Sequence, residues 1–172
     1  MTNSSENKYA ELEKQIDEIL SDGKLVLFPP GTGTFLLVNL LVLIGIAGLI
    51  VSAQEILFDK TEQAMIFFVV AGLVLSITVV TPPFFMIRGF RKALPYMKKM
   101  VVIFSILTLL FGLLNLASGG KAGLFAVVSF IALVLAYILA NSNSYLLLSI
   151  FTARRRELAL ETLEKRKRVL SK

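Results

Sequence analysis

The twelve carboxylates are the residues of this chain best suited to acid/base or metal chemistry, and their placement argues against both. Six lie near the start (Glu6, Glu11, Glu13, Asp17, Glu18, Asp22), three at Glu55, Asp59 and Glu62, and three at Glu157, Glu161 and Glu164. A general acid and its base need a shared, partly desolvated site that sets their pKa values apart. These carboxylates fall instead in hydrophilic stretches that read as solvated surfaces. The sequence has no histidine and no cysteine, which removes imidazole catalysis, thiol nucleophiles, disulfides and the common zinc and copper ligand sets. Gly31 to Thr34 reads Gly-Thr-Gly-Thr, but a phosphate loop also needs a lysine and a preceding strand. Neither is there, nor is a dinucleotide fingerprint or a nucleophile elbow. The expectation is a protein without catalysis, cofactor or bound metal.

The cations carry more information than the acids. Eighteen Lys and Arg give a formal charge of +6, yet the chain is 56% apolar with a mean hydropathy of +0.78. A water-soluble fold cannot cover that much apolar surface. Beside apolar spans, a basic surplus points to anionic lipid headgroups rather than to nucleic acid. The candidates are Arg88, Arg91 and Lys92 in a middle segment and Arg154, Arg155 and Arg156 after the last apolar run. Around the first group, Phe84, Ile87, Phe90 and Leu94 can face acyl chains while the cations reach headgroups. The simpler reading is a loop that only sets topology.

Four uncharged apolar runs position these groups. They cover about 34–53, 64–81, 100–117 and 123–140, each long enough for a hydrocarbon core of about 30 Å. The expected fold is all-α: a four-helix transmembrane bundle made of two antiparallel hairpins, with cytoplasmic amphipathic helices at both ends. Residues 1–33 form an acidic helix and Pro-Pro linker, 34–140 the membrane domain with a basic loop at 82–99, and 141–172 an interfacial segment and basic helix. Pro29-Pro30 and Pro82-Pro83 are expected to bound helices, since proline lacks an amide donor and restricts the residue before it. The residues around the two pairs do not otherwise match, so no internal repeat is inferred. Asn141 to Ser144, four small polar residues, predict a break after the last span.

Orientation follows from the basic residues, which are retained on the cytoplasmic side. The N-terminal segment, middle loop and C-terminal tail hold sixteen of them, while the two short connections hold only Lys60 and Lys121. Both termini and the middle loop are therefore expected inside, with Asp59 and Gly120 outside, in a bacterial cytoplasmic membrane. The first 24 residues are polar and acid-rich, so the first span is expected to act as its own insertion signal.

Small residues spaced four apart mark faces on which helices in lipid approach closely. They are Gly48 and Ser52 in the first span, Gly72 and Ser76 in the second, Thr108 and Gly112 in the third, and Ala132, Ala136 and Ala140 in the fourth, where Ser129 extends the stripe. Internal packing is the plainer use of such faces, and self-association the other. Asn39 and Asn115 differ too much in depth to pair with each other. The spans hold no ionisable Asp, Glu, Lys or Arg, which weakens ion-coupled transport and leaves a pore built from several copies.

The two tails differ in sign. Residues 1–33 carry a net −3 and residues 152–172 a net +5. Tyr9, Leu12, Ile16 and Ile19 recur at steps of 3, 4 and 3, so residues 8–20 form an amphipathic helix whose stripe can hold a partner. That partner is a cytoplasmic protein or the basic tail, unless both helices are merely solvated. Two function classes follow: a non-catalytic protein working through helix–helix and cytoplasmic contacts (scaffold, assembly factor or immunity-type protein), and a subunit of an oligomeric pore or small transporter.

Overall fold

The computed structural model describes residues 3–21, 28–58, 61–119 and 123–170, and the described residues form six helices. These are α1 (Asn3–Ser21), α2 (Thr32–Leu57), α3 (Thr61–Ile87), α4 (Ala93–Ala117), α5 (Gly123–Ala140) and α6 (Asn143–Leu170). Four of them are long and apolar enough to cross a membrane: α2, α3 from Glu62, α4 and α5. Their outer faces carry exposed Leu, Ile, Val and Phe in quantity, such as Leu36, Leu40, Leu73, Ile103 and Leu124, as expected for helices solvated by lipid. The described fold is all-helical, with four helices of the length and apolarity that a membrane span requires.

The centre of the bundle is α2. It packs most extensively on α5, then on α4 and α3. Small residues make this possible, because in lipid close contact replaces the hydrophobic drive that water supplies. A Cβ added to Gly48 would fall 2.6 Å from the Ser129 Cβ and 3.0 Å from the Phe125 carbonyl oxygen, and one added to Gly112 would fall 2.8 Å from the Ala126 Cβ. Ser52, Thr108, Ser129, Ala132, Ala136 and Ala140 are all buried along the same seams. Asn115 Nδ2 of α4 donates to the Ser52 carbonyl of α2 at 2.9 Å, whereas Asn39 bonds only to its own helix, at the Phe35 carbonyl.

The second small-residue face departs from expectation. Gly72 has open space where a side chain would stand, and Ser76 is exposed. The cause is the position of α3 at the edge of the bundle, where only 11% of its most apolar 18-residue stretch is buried against 44% for that of α2. Its buried residues are Ala64 at one end and Val79, Pro82, Pro83 and Met86 towards the other, so the middle of the helix faces outward.

Pro82-Pro83 does not end a helix, as α3 continues through both to Ile87. The bonds that the two imides cannot donate are missing from one turn only, a loss that helices in lipid tolerate when neighbours cover the site. The stop comes from Gly89. Its amide donates to the Met86 carbonyl, the Phe90 amide donates to the Phe85 carbonyl, and the Phe85 and Phe90 rings meet edge-on with centroids 5.2 Å apart. This is a Schellman ending, and it needs the left-handed backbone (φ 79°) that glycine adopts without strain. The expected loop at 82–99 therefore shrinks to Arg88–Lys92 between two helices. The break after the last span is present, at Asn141–Ser142, and beyond it α6 runs unbroken from Asn143.

Candidate functional site

The first half of α6 lies across one end of the bundle and closes it. Tyr145, Leu146, Leu148, Phe151 and Ala153 are buried there. The Tyr145 ring stacks on Phe35 near the start of α2, with centroids 6.1 Å apart. Gly31 abuts the Ser144 backbone with a left-handed φ of 85°, so the chain entering α2 touches the chain entering α6. Thr152 Oγ1 donates to the Met86 carbonyl at the end of α3 at 2.9 Å, and Lys98 Nζ of α4 donates to Asn141 Oδ1 at 2.8 Å. The start of α2, the end of α3, the start of α4 and the end of α5 thus meet beneath α6. Burial pushes the Tyr145 phenol above its ordinary pKa, and its hydroxyl finds no hydrogen-bond partner among the described residues.

On this cap sits α1. Leu12 and Ile16 are buried, Ile16 completely, and α1 packs on α6. Ile19 is 37% exposed at the edge of the contact, and the side chain of Tyr9 lies outside the described residues. The stripe expected to hold a partner is therefore turned onto the chain itself, so in this conformation Leu12 and Ile16 are not offered to a second protein.

Beside the apolar contact runs an open circuit of alternating charge, with an acid of α1 at each end. Asp17 accepts from Arg154 Nε at 2.9 Å, and Arg154 reaches Glu157 at 3.4 Å. Glu157 pairs with Arg91 at 3.2 Å, and Arg91 pairs with Glu13 at 3.5 Å, one helical turn from Asp17 on α1. Three segments remote in sequence, α1, the Arg88–Lys92 connection and α6, are joined by five side chains. The hydrogen bonds that Arg154 donates to Asp17 and then to Glu157 raise its pKa above its already high value. All five side chains are well exposed, so each pair alone is weak and screened by salt over about 8 Å at physiological ionic strength. A circuit of this kind can orient and register a helix that apolar burial holds.

The six cations assigned to lipid headgroups divide by this geometry. Arg91 and Arg154 are engaged by carboxylates. Arg156 stacks over the Phe90 ring at 3.9 Å and Arg88 over Phe84 at 4.3 Å, each with its guanidinium still exposed to surroundings. Lys92 and Arg155 are exposed. The opposite signs of the two tails had offered the basic tail as one partner for α1, but not the particular pairs. The i, i+4 acids Glu13 and Asp17 and the i, i+3 pair Arg154 and Glu157 are visible as local patterns, but nothing in their spacing ties one helix to the other.

Comparison with known proteins finds no matching family, no matching curated protein and no matching solved structure.

Proposed function

We propose that this is a non-catalytic integral membrane protein that crosses the bilayer four times as two antiparallel hairpins and works by contact, as a scaffold, an assembly factor or an immunity-type protein. In this reading both termini and the Arg88–Lys92 connection face the cytoplasm, because the retained cations gather there. Anionic headgroups and a protein partner or second copy are its ligands. The observation that carries the proposal is the docking of α1 on the cap through Leu12 and Ile16 beside a circuit of ion pairs. A helix held by a small apolar contact and screened charges can be exchanged for a partner's surface. The bundle centre, packed with Val38, Val42, Val101, Leu133 and Ala136, further supports contact over conduction through one copy. The exposed Gly72–Ser76 face is the one feature favouring the alternative, a subunit of an oligomeric pore or small transporter.

Two measurements test the reading. Single cysteines at Arg155 and Ser118 are clean probes because the chain has no thiol of its own; an impermeant maleimide on intact cells should label position 118 and spare 155. Proteins crosslinked in cells to the full chain should be compared with those of a chain lacking residues 1–22, alongside solute flux in proteoliposomes. Loss of crosslinked partners on truncation, without flux in either sample, supports contact; flux with an unchanged partner set overturns it.

A further inference from the structure

Two shallow, open depressions adjoin along the outer face of α3, and together they form one groove. The first, of about 520 Å³, runs from Ser76 to Phe85; the second, of about 340 Å³, continues past Phe85 to Lys92 and Tyr96. Thr81 and Phe85 line both. From Ser76 to Phe85 a helix rises about 13.5 Å, close to the ~15 Å depth of a single leaflet of a ~30 Å hydrocarbon core. Apolar side chains line the membrane-depth portion, with Ser76 and Thr81 the only polar ones, and the Thr81 hydroxyl is already bonded to the Ile77 carbonyl at 2.7 Å.

The chemistry changes at the Arg88–Lys92 end. Lys92 lines the groove itself, and the Arg88 guanidinium stands 4.3 Å over the ring of Phe84, another lining residue. No carboxylate lines either depression. Unlike Arg91 and Arg154, which are engaged by Glu13, Asp17 and Glu157, these two cations stand outside the carboxylate circuit. A shallow apolar groove about one leaflet long, ending in positive charge, is complementary to one amphiphile: an acyl chain along the groove and an anionic phosphate at its charged end.

We infer that the groove on α3 between Ser76 and Lys92 is a binding site for an anionic phospholipid, with one acyl chain along Thr81 and Phe85 and the phosphate at Lys92 and Arg88. The site rests on the membrane-spanning reading above, and deepens it by separating a specific lipid from the general lipid boundary. The open middle of α3 and its unbroken passage through Pro82-Pro83 both serve it, since a helix ending at the prolines would leave the groove without its Phe84 and Phe85 floor.

The sequence contains no tryptophan, so a single introduced indole reports its own surroundings. Phe85→Trp places one in the groove, and Val69→Trp places a control on an exposed face of the same helix. Each protein is reconstituted in phosphatidylcholine vesicles with increasing phosphatidylglycerol brominated along its acyl chains, and compared with brominated phosphatidylcholine. Phosphatidylglycerol should quench the indole at 85 with a preference over phosphatidylcholine that the indole at 69 lacks. Adding Lys92→Gln should cut that preference about fivefold, the equivalent of ~1 kcal/mol for one basic residue at the surface. Glycerol phosphate alone should not compete, because it has no acyl chain. Equal preference at 69 and 85, an unchanged preference in Lys92→Gln, or displacement by glycerol phosphate would each overturn the site. No quenching by either lipid at either position would instead overturn the membrane-spanning reading on which it rests.

Discussion

The Asn115 side-chain amide of α4 donates to the Ser52 carbonyl of α2 at 2.9 Å, and both residues are completely buried. A carbonyl inside a helix is already accepting from its own chain, so Asn115 uses the second lone pair and ties two helices without disturbing either. Replacing Asn115 by Leu should cost about 0.6 to 1.7 kcal/mol, the range found for side-chain hydrogen bonds between helices in lipid. Reversible unfolding in mixed micelles would measure it. An unchanged midpoint would mean that packing alone holds the pair.

The two glycine faces make a matched pair of opposite expectation. Gly48→Ala puts a methyl group into Ser129 and the Phe125 carbonyl, so α2 and α5 must separate, at a cost of about 1 to 3 kcal/mol. Gly72→Ala meets nothing within 4 Å and should be neutral, or stabilising by at most ~1 kcal/mol through helix propensity. Thermal stability of the two variants in one detergent decides the matter. If Gly72→Ala proves the more damaging, α3 has a partner in the membrane.

Tyr145 should respond to alkali. Burial raises its phenol above the ordinary value of about 10, so the folded protein keeps a proton that the unfolded chain loses. Its contribution is intact below about pH 10 and declines as the pH climbs beyond that value. Tyr145→Phe should remove this decline. Since the hydroxyl bonds to nothing among the described residues, the variant should be no less stable than the parent at pH 7. Unfolding midpoints at pH 7, 10 and 11 test both statements.

For α1 the apolar contact should dominate and the charges should modulate. Ile16→Asp buries a carboxylate at a site with no exposure, and should release α1 from the cap. Asp17→Asn should loosen it partially, with an effect that vanishes in high salt. Amide hydrogen exchange over residues 10–20 reads both. Protection unchanged in Ile16→Asp would place the hold on α1 in the charges.

Composition made much of this fold legible. Four apolar runs, interrupted at short polar connections, correspond to α2 to α5, and the polar stretch at 141–144 corresponds to the turn before α6. Of the stripe read on α1, Leu12 and Ile16 are buried while Ile19 stands exposed at the edge of the contact. Proline misled, because its rule is written for helices whose freed carbonyls face water, while Pro82 and Pro83 are buried against neighbours. The true stop, Gly89, looked like one glycine among eleven. Gly72 and Ser76 match the spacing of Gly48 and Ser52, but spacing describes a face and not what stands opposite. The cap was hidden for the same reason, since Arg91, Arg154 and Glu13 acquire meaning only when three distant segments converge.

Asp17 and Arg154 stand 137 residues apart in the chain. At a synthesis rate of about 5 to 20 residues per second, Arg154 follows Asp17 from the ribosome by roughly 7 to 27 s. During that interval α1 lacks the α6 surface on which Leu12 and Ile16 are buried. A chain that stops short of α6 never closes this gap. Its Leu12 and Ile16 stay uncovered, so the burial of α1 reports whether translation has passed α6.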